Sequence, residues 1–411
     1  MKLAILHPAF GTIGGAEMLS MEQANFFKRE GQDVGVVCSS FDEQRWRDHL
    51  PGIDVELMND GRGWNDIFIS YSRMGKLRWR TRRMGEALKG FDTVIAYNSP
   101  ANVILGMSRT KARKIWQCNE PSRDLHIREA NPRMVKRMAD DKGPWLAWLD
   151  AASNYFEKIM ADHDHSYGLG RSLQARCNFD VEATKQVDLI YAISEYSREN
   201  AKRIYGRCRD EVIYPIVRFP EGKRHRAGLD RSGLKVLVHS RLEVLKNIDT
   251  VLRGFSLFKK SCPGAQLHVV GDGPKRKGLE GIARDLEGGD AIKFHGFLPD
   301  AELQEVYEVC DAFALLPLDE PFGMVFPEAA AKGLLLIGSD HGGPAEILDG
   351  GRLGWVVDAF SPEHAAAAMR EIFALSDAEV DRRREETDRI CRSRFGWDAI
   401  GPQLRALLVK Q

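Results

Sequence analysis

Short apolar runs alternate with amphipathic stretches along the whole chain, a pattern that predicts parallel sheets covered by helices. In the first half, residues 3–7, 34–38, 93–97, 114–117 and 189–193 read as strands. Between the first two, a helix near residues 17–29 places Met18, Met21, Ala24 and Phe27 on one face. The second half restarts the pattern, with strand-like runs at 235–239, 266–270, 291–294, 312–316 and 334–337. The polar run 219–233 follows Tyr214-Pro215, is rich in Lys, Arg, Gly and Asp, and reads as a linker. The expected fold class is therefore α/β, with two Rossmann-like domains facing each other across a cleft. They would span 1–218 and 219–390, with 391–411 forming a terminal helix placed to pack back on the first domain. Residues 121–178 break the pattern: Trp145, Trp148, Tyr155 and Phe156 lie in helical stretches without clear strands. This reads as an insertion beside the C-terminal edge of the first sheet, the edge where open α/β sheets bind ligands. Acceptor binding and a plain helical cover both fit it.

Length agrees, since 411 residues exceed one ordinary hydrophobic core. The formal net charge is zero, so no global field draws in nucleic acid or an anionic membrane. No apolar run approaches the roughly 20 residues that cross a bilayer, and the first run is shorter than the apolar core of a signal peptide. The seven cysteines are scattered with no C-x-x-C pair, as suits reduced thiols in the cytosol. A cytoplasmic protein is expected. One local feature qualifies this: Arg73, Lys76, Arg78, Arg80, Arg82, Arg83 and Lys89 surround Trp79. They read as a solvated helix face, or as a patch for an anionic membrane or a phosphorylated acceptor.

Three stretches carry candidate chemistry. The loop Gly11-Thr12-Ile13-Gly14-Gly15-Ala16-Glu17 lets backbone approach a phosphate or sugar at a helix start. Its spacing is not the dinucleotide fingerprint, and Val37-Cys38-Ser39-Ser40 holds no ribose-binding acid, so a nicotinamide enzyme is disfavoured. Next, Arg241 and Lys246 follow the first strand of the second half, where two cations could grip a diphosphate. Third, the run from Glu320 to Gly333 follows a strand and opens an Ala-rich helix. Glu320 and Glu328 can both accept sugar or ribose hydroxyls, and the N–H groups of Gly323, Met324 and Val325 suit an anion. Asp162-His163-Asp164-His165 has a metal-binding D-x-D spacing but lies in the insertion and not after a strand, so no metal site is assigned. His239, His268 and His364 read as core or surface residues.

The run Glu320-Pro321-Phe322-Gly323-Met324-Val325-Phe326-Pro327-Glu328 and the later Gly338-Ser339-Asp340-His341-Gly342-Gly343-Pro344 resemble the retaining glycosyltransferases of family 4, which have the GT-B fold. Val270-Gly271-Asp272-Gly273-Pro274, Phe294-His295-Gly296-Phe297-Leu298, Arg241 with Lys246, and the Gly14-Gly15 loop are similar to the same family. The resemblance implies that Glu320 binds hydroxyls of the transferred sugar and Glu328 the ribose. It makes Arg241 and Lys246 neutralise the leaving diphosphate, beside the glycine turns at Gly271 and Gly273 and the helix start with Phe322 and Gly323. Phe297 and Leu298 would hold the base mainly by their backbone, and Gly15 would pass close to donor or acceptor. The implied donor is GDP-mannose or a UDP-sugar, with no metal or other cofactor. Where the family usually has a histidine before Glu-Pro, this chain has Asn119. An amide bonds a sugar without titrating near neutrality, which points to a distinct acceptor. His126 is near enough to take the histidine's place. The neighbourhood, with Tyr214-Pro215, is similar to mannosyltransferases acting on polysaccharide or lipid-linked acceptors.

Two other readings keep the fold. A phosphorylase needs a pyridoxal-binding lysine and a much longer chain, and an epimerase needs more acid–base residues near the glycine loop. A non-catalytic nucleotide-sugar binder has no use for cations at a leaving group. A transferase is the expectation.

Overall fold

The computed structural model describes residues 1–11, 14–58, 86–123, 125–126, 173–219 and 227–409. The chain divides into two compact units, one of residues 1–214 with 401–411, the other of residues 215–400. The basic stretch from Arg73 to Arg83, the Asp162–His165 run and most of the expected insertion lie outside the described residues.

The first unit is built on a six-stranded parallel sheet: β1 (Lys2–Leu6), β2 (Asp33–Cys38), β3 (Asp54–Leu57), β4 (Thr93–Tyr97), β5 (Arg113–Cys118) and β6 (Leu189–Ala192). Helices α1 (Gly15–Arg29), α2 (Glu43–Trp46), α3 (Ala101–Met107), α4 (Leu173–Thr184) and α5 (Glu195–Tyr205) connect or cover the strands. Strands β1 and β4 sit at the centre, with all of β4 buried, as their continuous apolar runs require. On one face, Leu6, Ala96, Trp116 and Ile190 pack with Leu105 and Tyr205.

The second unit repeats the plan with β7 (Lys235–His239), β8 (Gln266–Val270), β9 (Ile292–Gly296), β10 (Ala312–Leu315), β11 (Leu335–Ser339) and β12 (Trp355–Val357). Its helices are α6 (Ile248–Lys259), α7 (Arg276–Asp285), α8 (Asp300–Val309), α9 (Val325–Ala331), α10 (Gly343–Ile347), α11 (Pro362–Ala374) and α12 (Asp377–Phe395). The last helix, α13 (Trp397–Leu408), begins in this unit and ends in the first. The strand orders β3-β2-β1-β4-β5-β6 and β9-β8-β7-β10-β11-β12 are the same order. Each sheet therefore reverses direction beside its first strand, between β1 and β4 and between β7 and β10.

The strands absent from the sequence reading are β3 and β12, both at sheet edges. β3 is mostly exposed and β12 has three residues, so neither carries the apolar run of an interior strand. The junction also differs from the expected linker at 219–233. Ile213 N–H donates to Ala192 in the first unit, whereas Ile216 and Val217 are buried in the second and Val217 N–H donates to Phe395. The described part of the polar run is fixed by α12: Gly228 N–H donates to Asp381, and Arg384 donates to the Gly228 carbonyl. The tail also starts later than residue 391, because α12 continues unbroken to Phe395. In the first unit the end of the chain is held by Arg405 on Glu30 and by Arg113 donating to the Leu407 carbonyl at 2.7 Å.

Candidate functional site

In a doubly wound sheet, the loops leaving the strands on either side of the reversal diverge and leave a crevice at the carboxyl edge. In the second unit those loops are 240–247 after β7 and 316–324 after β10. Asn247 joins them. It adopts a left-handed backbone (φ 53°) and its Nδ2 donates to the carbonyls of Leu316 (2.8 Å) and Ala359 (2.6 Å). Leu318 N–H donates to Leu245 at 2.9 Å. These bonds bring Lys246 against Glu320, Nζ to Oε2 2.5 Å, with the two side chains 26% and 14% exposed. Arg241, on the same loop, is 58% exposed and pairs with Glu243 at 2.9 Å. Of the two expected cations, Lys246 is thus already engaged with Glu320, and Arg241 is held by a neighbour of its own.

The backbone beyond Glu320 is set by glycine. Gly342 has φ +68°, and a Cβ on it would come within 2.5 Å of the Glu320 carbonyl oxygen. A Cβ on Gly343 would lie 2.3 Å from Phe322 backbone, and Gly343 N–H donates to the Glu320 carbonyl at 2.8 Å. Larger residues would separate the two loops. Phe322 is buried edge-on to Phe395, and Gly323, at φ +95°, turns the chain into Met324 and Val325 at the start of α9.

Glu328 lies in the first turn of α9, half-buried, and its side chain makes no hydrogen bond or ion pair among the described residues. Burial disfavours its charge and raises its carboxyl to about 7, against a smaller opposing pull from Lys332. Lys332 donates to Gln304 and stands 4.6 Å from the centroid of the Tyr307 ring. The Tyr307 hydroxyl is 2.9 Å from Nδ1 of His239, the last residue of β7. Burial and the Lys332 charge push His239 down to about 4, so its ring is neutral where Nδ1 and the Tyr307 hydroxyl share a hydrogen bond. Sequence reasoning set His239 aside and did not single out Tyr307 or Lys332. The buried face of α8 gave Tyr307 an ordinary core position.

Gly271 and Gly273 serve close contact between loops: Cβ atoms there would meet the Ser240 carbonyl at 1.9 Å and Leu242 backbone at 2.5 Å. Gly271 N–H also donates to the Gly296 carbonyl at 2.7 Å, joining the β8 loop to the turn that carries Phe297 and Leu298. Phe297 is 73% exposed. His268 and His295 stack nearly parallel with ring nitrogens 3.1 Å apart, and burial lowers both.

The first unit carries a different set at the corresponding place. His7 follows β1 and Asn98 follows β4. Tyr191 and Gln23 donate to Gln117 Oε1 (2.6 and 2.7 Å), Gln117 donates to Asn119 (2.8 Å), and Asn119 donates to Asn98 (2.8 Å). Asn98 Nδ2 then meets His7 Nε2 at 3.3 Å, and His7 Nδ1 meets the Ala9 carbonyl at 3.0 Å. Burial holds His7 down at about 3, so it is the neutral Nδ1–H tautomer that donates to Ala9 and accepts from Asn98. Every member of this relay is uncharged. Gly14 caps α1 and Gly15 opens it. His126 does not join the relay: it is 1% exposed and bonds Asp180 at 2.9 Å, together with Tyr205 (2.7 Å) and Asn102 (3.0 Å). Burial opposes its charge, but hydrogen bonds to Asp180 and Cys177 override that and raise it to about 10. It is committed to the interior.

Among the described residues no group of three or more His, Cys, Asp or Glu is placed to hold a metal, and no helix is long and apolar enough to cross a membrane. Residues 221–389 match the family model of the glycosyl transferases group 1. The second unit is a group 1 glycosyltransferase domain.

Relatives of that domain agree. Mannosylfructose-phosphate synthase of Agrobacterium fabrum is 29% identical over 239 residues, 56% of this chain and 52% of that protein. The GDP-mannose-dependent alpha-(1-6)-phosphatidylinositol monomannoside mannosyltransferase of Mycobacterium tuberculosis is 29% identical over 237 residues, 54% of this chain and 61% of that one. The chain thus spans about half the length of the curated relatives it matches. Anabaena HepE, solved in complex with UDP and glucose, superposes with a TM-score of 0.69 at 18% identity over 99% of both chains. The likeness covers both units, and the fold is GT-B.

Proposed function

We propose that the protein is a retaining glycosyltransferase. It moves a sugar from GDP-mannose or a UDP-sugar to a saccharide, lipid-linked or small-molecule acceptor, without a metal. The observation that carries this reading is the Lys246–Glu320 pair at the sheet reversal of the second unit. Departure of a nucleoside diphosphate builds negative charge, and a fixed ammonium offsets that charge without reorganisation. Lys246 would exchange part of its contact with Glu320 for the diphosphate, and Arg241 would swing from Glu243 to join it. Glu320, relieved of its cation, would accept hydroxyls of the transferred sugar. Glu328 would accept those of the ribose. In the first unit, the neutral amides Asn98 and Asn119 suit acceptor hydroxyls. Support comes also from the relatives, one named as GDP-mannose-dependent and one solved with UDP and glucose.

The test is a panel of nucleotide sugars followed by thermal stabilisation and by release of nucleoside diphosphate. One or more should stabilise the protein and be turned over, with and without chelator. Lys246→Ala should weaken nucleoside diphosphate binding by about 10- to 100-fold. A panel in which none binds overturns the reading, and loss of turnover in chelator overturns its metal-free part.

A further inference from the structure

Glu328 is the one expected ligand-binding acid whose carboxylate has no hydrogen-bonding partner among the described residues, although a lysine stands one turn along on the same side of the chain. At i and i+4 a glutamate followed by a lysine ordinarily pairs. Here Lys332 is diverted. Its ammonium donates to Gln304 of α8 and rests over the Tyr307 ring of the same helix. Tyr307 is itself held by its hydroxyl on His239 Nδ1. Gln304, Tyr307 and His239 thus keep the lysine from Glu328. The other faces of α9 carry Phe326, Pro327, Ala329 and Ala330, all buried and none ionisable.

We propose that this arrangement couples nucleotide-sugar binding to release of a proton from Glu328, with Gln304, Tyr307 and His239 as positioning residues that hold Lys332 away and leave the carboxyl without a partner among the described residues. The proposal rests on the donor reading above, in which Glu328 receives the ribose hydroxyls. In the free protein the half-buried carboxyl keeps its proton because no donor compensates for lost hydration. Two ribose hydroxyls are donors. They bond the carboxylate and favour the charged form, so the proton leaves to solvent as the ligand enters. The direction of Glu328's shift agrees with this. Ionisable groups on the surrounding elements include Lys332 on the loop after α9, Tyr307 on α8, His239 on β7, Arg384 and Arg392 on α12 and Glu346 on α10. Of these, Lys332 lowers the Glu328 carboxyl and Tyr307 faces it. Arg384 lies 3.9 Å from Asp381 and Asp311, and Arg392 is bonded to Asp388.

Calorimetry of the full chain with GDP-mannose and with UDP-glucose, in two buffers of different ionisation enthalpy, counts the protons. A nucleotide sugar serves better than the diphosphate because its phosphates do not titrate near neutrality. About half a proton should be released per ligand at pH 7, nearly one at pH 6 and almost none at pH 8.5, with affinity rising about tenfold from pH 6 to 8.5. Glu328→Gln should bind more weakly and release none. Lys332→Met, which leaves the carboxyl in place, should move the release window to higher pH, an effect that loss of packing alone does not produce. Binding without proton release, or release that persists in Glu328→Gln, overturns the coupling alone. Failure of both ligands to bind at any pH overturns the donor reading and the coupling together.

Discussion

The two units share one strand order and one point of reversal, yet they equip that point differently. At the β7–β10 reversal stand a lysine and its glutamate, and α9, which the β10 loop opens, carries a second glutamate whose carboxyl has no partner among the described residues. Between β1 and β4 stand amides and a histidine held neutral. Topology fixes where a ligand can lie, because the loops diverge there in both sheets. The side chains decide what is bound. Charges that meet a leaving diphosphate belong where charge develops, and neutral donors and acceptors suit hydroxyl groups that stay neutral until they react.

The contrast predicts its largest effect in turnover. Glu320→Gln keeps the shape of the loop but removes the charge paired with Lys246, and should lower kcat by about 100- to 1,000-fold. In the first unit Asn119→Ala removes a bond from a neutral relay, and should raise the acceptor KM by no more than about tenfold. Steady-state kinetics with donor and acceptor varied separately measure both. Equal losses from the two substitutions would end the division of labour between the units.

The sequence made the interior strands legible because strands buried on both faces are continuous apolar runs. It left out β3 and β12 because edge strands need no such run. Arg241, Lys246, Glu320 and Glu328 were visible as residue types at strand ends and a helix start. What makes two of them a pair was not visible: the side chain of Asn247 reaching carbonyls at Leu316 and Ala359, far along the chain. The relay in the first unit was almost wholly hidden. His7, Gln23, Asn98, Gln117 and Tyr191 belong to different elements, and only Asn119 drew notice, as a departure from a motif. His126, a plausible substitute by proximity in sequence, is turned inward by Asp180.

A smaller effect should appear in stability. Gln117 accepts from Tyr191 and Gln23 and donates to Asn119, all of them buried. Gln117→Leu takes one hydrogen bond from each of those buried partners, leaving them only their remaining bonds to Asn98, Tyr97 and Gln23, and should cost about 2–3 kcal/mol, seen as a lower unfolding midpoint in urea. The exposed pair Arg241–Glu243 in the second unit is the control: Glu243→Gln should change stability by less than about 0.5 kcal/mol. If both substitutions were silent, the relay would be an arrangement of convenience.

The smallest effect separates the units by pH. His7 has a depressed value in the folded chain, about 3 against 6.5, so the unfolded chain binds more protons between those values. Its contribution to stability is therefore present above pH 6.5 and lost as pH falls. From pH 7 to 5.5 that loss is about 1 kcal/mol. Glu328 has a raised value, about 7 against 4.5, so the folded chain binds more protons in that window and stability falls as pH rises through it. His7→Gln can keep both bonds of the ring, one donated to Ala9 and one accepted from Asn98, without a titrating group. It should lose less stability than the parent on going from pH 7 to 5.5. Glu328→Gln should exceed the parent at pH 8 by about 1 kcal/mol, since the carboxyl is only half-buried, and match it at pH 4. Thermal melts of the three proteins across pH 4–8 distinguish these slopes. The comparison fails if the two substitutions shift the profile in the same direction, because one reversal point would then not be built around a neutral group and the other around an acid awaiting a ligand.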